Sequence, residues 1–149
     1  YRRKTKRTNH SREGYDLSRL KEYAKDGVKE RLIDLHPNAI MVLCDVLKWS
    51  IEKQIPFVIC DANTSLKEDE ALNRVSSTHR EGRAFDVSVR GWTKENIDDC
   101  IASFSFKYRY LAAIGSDGEP RLVYFHNAGT GDHLHFQINK KFALPILTY

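Results

Sequence analysis

The chain has 149 residues, 41% of them hydrophobic, a length that buries a core without covalent staples, so one domain is expected. Its three cysteines, Cys44, Cys60 and Cys100, are odd in number and lack CxxC spacing, which argues against a disulfide framework and a thiolate zinc site and makes them expected core residues. No run approaches the roughly twenty apolar residues of a membrane span, so a soluble protein is expected, and the net charge of +4 leaves anionic partners open.

The positive charge gathers at the start, where Arg2, Arg3, Lys4, Lys6, Arg7 and Arg12 make residues 1–14 an expected basic arm ahead of a single domain over 15–149. Such an arm is first of all a solvated terminus, and it also suits an anionic surface such as the acidic polymers of a bacterial envelope. No aromatic residue is interleaved after Tyr1, so a stacking platform is not indicated and nucleic acid is not an expected partner. No charged-then-apolar signal segment is visible, although a first residue of Tyr1 makes that weak testimony about location.

Beyond the arm, Leu17, Leu20 and Tyr23 or Ala24 share a side, which predicts a short helix over 16–25 with Gly27 as its stop. Pro37 suits a first turn, and Ile40, Leu43, Val46, Leu47 and Ile51 recur at helical spacing, so a long core helix is predicted over 37–54. The apolar run 56–60 predicts a buried strand closed by a polar loop over 61–65, and a charged helix is expected over 66–74. Alternation predicts a strand over 84–89, and Thr93 caps a predicted helix running to Phe104. Residues 109–114 and 121–125 read as a hairpin around 115–120, and 133–138 as a last strand behind a flexible loop over 127–131. The expected class is α+β, a small antiparallel sheet with flanking helices.

Two segments carry chemistry. Ser77-Thr78-His79-Arg80-Glu81-Gly82-Arg83-Ala84-Phe85-Asp86 is answered by Asp132-His133-Leu134-His135. His79, Asp86 and His135 can fill three corners of a zinc tetrahedron and leave the fourth to a water, the pattern of a catalytic site. Alternate residues of a strand share a face, so His133 and His135 point one way while Leu134 and Phe136 enter the core. Asp132 is then the expected general base. Two imidazoles and a carboxylate suit zinc, although some oxygenases bind iron(II) with the same set; Zn2+ is the expected metal. His10, His36 and His126 are read as ordinary hydrogen-bonding histidines.

The pattern Ser77-x-His79-x-x-Gly82-x-Ala84-x-Asp86 with Asp132-x-x-His135 resembles the zinc peptidases that cut D-amino-acid-containing peptides of peptidoglycan. These are the D-Ala-D-Ala carboxypeptidases and dipeptidases and the phage L-alanyl-D-glutamate endolysins, whose fold the Hedgehog signalling domain shares. Leu32-Ile33-Asp34-Leu35-His36-Pro37 resembles the helix start of the endolysin branch, and the likeness covers roughly residues 30 to 140. The resemblance implies zinc on His79, Asp86 and His135 and a catalytic carboxylate at Asp132; Ser77 and His133 are expected to contact substrate, and His133 is the competitor for the base role. It also implies an arginine in the loop after the strand near Cys60, to hold a developing oxyanion. This chain has Asp61-Ala62-Asn63-Thr64 there, so Asn63, Arg74 or Arg83 is expected to replace it.

The expected function is therefore zinc-dependent hydrolysis of the peptidoglycan stem peptide by a monomer, more in the manner of an L-Ala-D-Glu endopeptidase than of a D-Ala-D-Ala carboxypeptidase. Such an enzyme works on the cell wall from the periplasm or the outer face, and a phage lysin would wait in the host cytoplasm or travel with the virion. A zinc-stabilised binding module of the same fold, without turnover, is the alternative from another class.

Overall fold

In the computed structural model, which describes residues 16–62, 81–128 and 131–142, the first elements are helix α1 (Leu17–Lys21), a 3-10 helix (Lys29–Asp34) and helix α2 (Pro37–Glu52). Strands β1 (Ile59–Ala62) and β2 (Ala84–Ser88) come next, then helix α3 (Lys94–Lys107). Two short strands, β3 (Ala113–Ile114) and β4 (Pro120–Arg121), precede the hairpin of β5 (Val123–Ala128) and β6 (Gly131–Gln137). The four longer strands form one sheet in the order β1-β2-β6-β5, antiparallel throughout, while β3 and β4 pair separately. The class is thus α+β, with a small antiparallel sheet and flanking helices, as the alternation and helical spacing implied. No helix among the described residues is long and apolar enough to cross a membrane.

Period-two patterning divides the sheet into two chemically distinct faces. Phe85, Val87, Leu134 and Phe136 enter a core that α2 fills with Ala39, Val42, Leu43, Val46 and Leu47 and α3 with Cys100 and Phe104. Phe85 and Phe136 are direct partners across β2 and β6, and their rings stack 4.8 Å apart. Side chains of the other parity, among them Asp86, His133 and His135, are therefore turned to the opposite face. Cys100 is buried as expected, whereas Cys44 and Cys60 are only half-buried.

The caps follow the sequence. Thr93 caps α3 by accepting from the Asn96 amide, and His36 caps α2 by accepting from the Asn38 amide at Nδ1. Gly82 holds the first chemical segment against this region. Its φ is +70°, a Cβ there would lie 2.6 Å from the Asp34 carbonyl oxygen, and its own carbonyl accepts from the His36 amide at 3.0 Å. A glycine is required on both counts.

Several boundaries differ from expectation. The first helix stops at Lys21, because the chain from Tyr23 to Lys25 instead pairs with Ile59 at the edge of β1. The first strand begins at Ile59, after Pro56, which has no N–H to give a ladder, and runs through Asp61 and Ala62, which were expected in a loop. A bulge between Ile59 and Asp61 turns Asp61 onto the rung of Asp86. The expected hairpin of 109–114 with 121–125 shrinks to two residues on each side, since Val123 onward pairs with β6. Asn127 and Ala128, expected in a loop, belong to β5 and pair with Asp132 and Gly131. The arm over 1–14 and the helix expected over 66–74 lie outside the described residues.

Candidate functional site

Two alternate rungs of the sheet, on one face, bring the polar groups together. On the first, Asp61 pairs with Asp86, Asp86 with His135 and His135 with Tyr124; on the second, Ser88 pairs with His133 and His133 with His126. Residues 49 apart in sequence thereby meet, with His135 Nδ1 lying 2.8 Å from Asp86 Oδ1. Asp86 Oδ2 faces His133 Nε2 at 3.5 Å, so one carboxylate stands between two imidazoles. The three are only 3%, 7% and 7% exposed for Asp86, His133 and His135, which rules out solvation by bulk water as the way this charge is held.

Outer contacts orient both rings. His135 Nε2 lies 3.1 Å from Gln137 Oε1, and His133 Nδ1 lies 3.1 Å from the Gly131 carbonyl oxygen. The Gly131 carbonyl can only accept, so neutral His133 carries its N–H on Nδ1; with Gln137 Oε1 accepting from Nε2, neutral His135 carries its N–H on Nε2. The inner nitrogens, Nδ1 of His135 and Nε2 of His133, then present lone pairs to the Asp86 carboxylate. Lone pairs facing a buried anion need a cation between them, either a proton or a metal ion. An imidazole whose outer N–H is held by an amide or carbonyl oxygen is the usual support of a metal-ligating histidine. Asp86 and His135 accordingly fit as two donors to zinc. The negative charge is felt nearby: burial first, then Asp86, pushes the Cys60 thiol up to about 12 and raises the Tyr124 hydroxyl.

Of the expected donors, His79 lies outside the described residues, as do Asn63, Arg74 and Ser77. Among the described residues, no group of three or more His, Cys, Asp and Glu side chains is set to hold a metal ion, so the expected triad is represented by its Asp86 and His135 edge. Asp132 is exposed at the second position of β6, opposite Asn127, and alternation gives it the parity of Leu134 rather than of His135. His133 joins the site directly. Arg83 is held elsewhere, its Nε donating to Glu81 at 2.7 Å and its Nη1 to the Ile138 carbonyl at 2.8 Å.

The structure adds residues that sequence reasoning did not place. Tyr124 packs tilted against His135 with ring centroids 5.1 Å apart, and His126 approaches His133 with Nδ1···Nε2 at 3.3 Å. Gln137 orients His135, and Arg31 reaches Asp61 at 3.8 Å from the 3-10 helix. The alternation Val123-Tyr124-Phe125-His126 carried the signal for the first two, and reading that stretch as half of another hairpin hid it. Arg31 had no local signal, since only the bulge in β1 turns Asp61 towards it.

Comparison with protein-family models, curated proteins and solved structures gave no match.

Proposed function

We propose that the chain is a zinc-dependent peptidoglycan peptidase with the Hedgehog-type fold that its motifs resemble, cutting the stem peptide between L-Ala and D-Glu. The observation that carries this reading is the buried Asp86–His135 rung, with 2.8 Å between a carboxylate oxygen and an imidazole nitrogen whose partner N–H is already taken by Gln137. His79, Asp86 and His135 would hold the zinc. When bound, zinc polarises a carbonyl as a Lewis acid and lowers the pKa of water towards about 7.

The chain's own residues supply the remainder. Gln137 and the Gly131 carbonyl fix the two rings, so no reorganisation is needed as charge develops. Asp132, whose carboxylate has no hydrogen-bond or ion-pair partner among the described residues, takes a proton from the attacking water and delivers it to the leaving amine. A second assignment for this step rests on a specific observation. His133 lies on the site face with Nε2 3.5 Å from Asp86 Oδ2, whereas Asp132 has the other parity, and in that version His133 carries the proton.

The test is digestion of purified peptidoglycan with the full chain, with and without a chelator, followed by mass spectrometry of the released peptides. New N-terminal D-glutamate or D-isoglutamine without free D-alanine is the expected result. Free D-alanine as the main product would move the protein to the carboxypeptidase type. No product under zinc-replete conditions would leave the binding module.

A further inference from the structure

The pair His126 and His133 has no part in the expected zinc triad, yet its geometry is that of a ligand set. The two are direct partners across the β5–β6 rung, where side chains on one face stand closest. Their rings meet edge to face, with centroids 5.0 Å apart and an interplanar angle of 83°, which aims His126 Nδ1 at His133 Nε2 across 3.3 Å. Donor bonds of about 2.0–2.1 Å to a common ion would span that gap at an angle of about 107°, close to tetrahedral. An N–H···N hydrogen bond spans a similar gap, so the two readings differ in whether an ion takes the place of the proton.

The supports around the pair point the same way. The Gly131 carbonyl takes the Nδ1 proton of His133 and leaves a lone pair on Nε2, on the side of His126. That carbonyl is presented by a residue with φ +118°, which an L side chain rarely adopts, so this contact to His133 depends on glycine. Asp86 Oδ2 lies 3.5 Å from the same Nε2 and adds negative charge beside the gap. His133 is 7% exposed while His126 is exposed, so an ion would reach one ligand from solvent and be held by a second that is fixed.

We propose that His126 and His133 form a second, exchangeable site for a divalent transition-metal ion of the imidazole-binding class, Zn2+, Cu2+ or Ni2+, on the rung beside the Asp86–His135 pair. It is weaker than a three-donor site because the described residues offer it two imidazole donors. Oxygen-seeking Mg2+ and Ca2+ are excluded by the ligand type. Neither histidine is among the zinc donors of the peptidase reading, and an ion on His133 Nε2 would leave the proton-carrying role to Asp132.

The test is equilibrium dialysis of the metal-stripped full chain against Cu2+ at fixed neutral pH, comparing wild type, His126→Phe, His126→Ala and His135→Ala, each checked for fold by circular dichroism. Both His126 variants are expected to lose one equivalent of bound copper, its affinity falling by more than about tenfold, the least that loss of even a supporting contact costs a metal site. They should keep the equivalent that His135→Ala loses. Copper binding in both His126 variants equal to wild type in number and affinity would overturn the proposal and reduce the pair to an N–H···N hydrogen bond. A wild type lacking the His135-dependent equivalent, but keeping the His126-dependent one, would support this site while counting against the catalytic zinc.

Discussion

Gly82 and Asp86 sit four residues apart in one motif and are constrained by different forces, backbone conformation for the first and charge for the second. In Gly82→Ala the new Cβ would meet the Asp34 carbonyl oxygen at a φ of +70°, and backbone cannot swing aside as a flexible side chain can. Left-handed backbone at a non-glycine residue costs about 1–3 kcal/mol before any clash. Unfolding in urea should therefore show a loss of about 2 kcal/mol or more, and an unchanged midpoint would contradict the close approach. The proton-carrying residue separates by mutation too. Asp132→Ala should keep bound zinc and lose at least about a hundredfold in peptide release, the scale of general-base contributions. Full activity in Asp132→Ala with a dead His133→Ala would exchange the two roles. Cys60 reports on the same charge: with its thiol pushed up to about 12 by burial and then by Asp86, it should alkylate slowly at pH 8 and faster in Asp86→Asn.

The strands supply both the core and the site, because one alternation serves two faces. Phe136 stacks on Phe85 below the sheet while its neighbours His135 and Gln137 meet above it. Phe136→Ala should cost about 3–5 kcal/mol in a denaturation experiment, the range for emptying a buried aromatic position, and should loosen the metal site as the rung shifts. The run from Asp132 to Phe136 and the run from Ala84 to Val89 were legible as strands because strict alternation is a local property. That they are neighbours was legible as well, since side by side they set Asp86 against His135 with both apolar sets in the core. The flanking strands were not. A bulge in β1 inserts a residue without any marker in composition, and it alone turns Asp61 to the rung of Asp86 and towards Arg31. Tyr124 and His126 were missed because β5 could pair with 109–114 or with β6, and local patterning does not choose between partners.

At the scale of the whole molecule, the metal is expected to stabilise the fold as well as to serve chemistry. Asp86 is 3% exposed, and a carboxylate that deep destabilises the chain unless a cation faces it. An ion present at a hundred times its dissociation constant adds about 2.7 kcal/mol, which in a domain of this size corresponds to roughly 5–10 °C in Tm. A chelator should lower Tm by several degrees in the wild type and by much less in Asp86→Asn, which keeps only the weaker His126–His133 site. An equal response from both would show that the ion binds elsewhere.

The measurement that bears most directly on a zinc peptidase built around Asp86 and His135 is the initial rate of peptide release from purified peptidoglycan as zinc is titrated into the metal-stripped chain. The rate is expected to rise from the buffer baseline, to saturate at one zinc per chain, and to stay at baseline for His135→Ala at every zinc concentration. A stripped chain that already works at full rate, or a wild type that releases nothing at any zinc concentration, would contradict it.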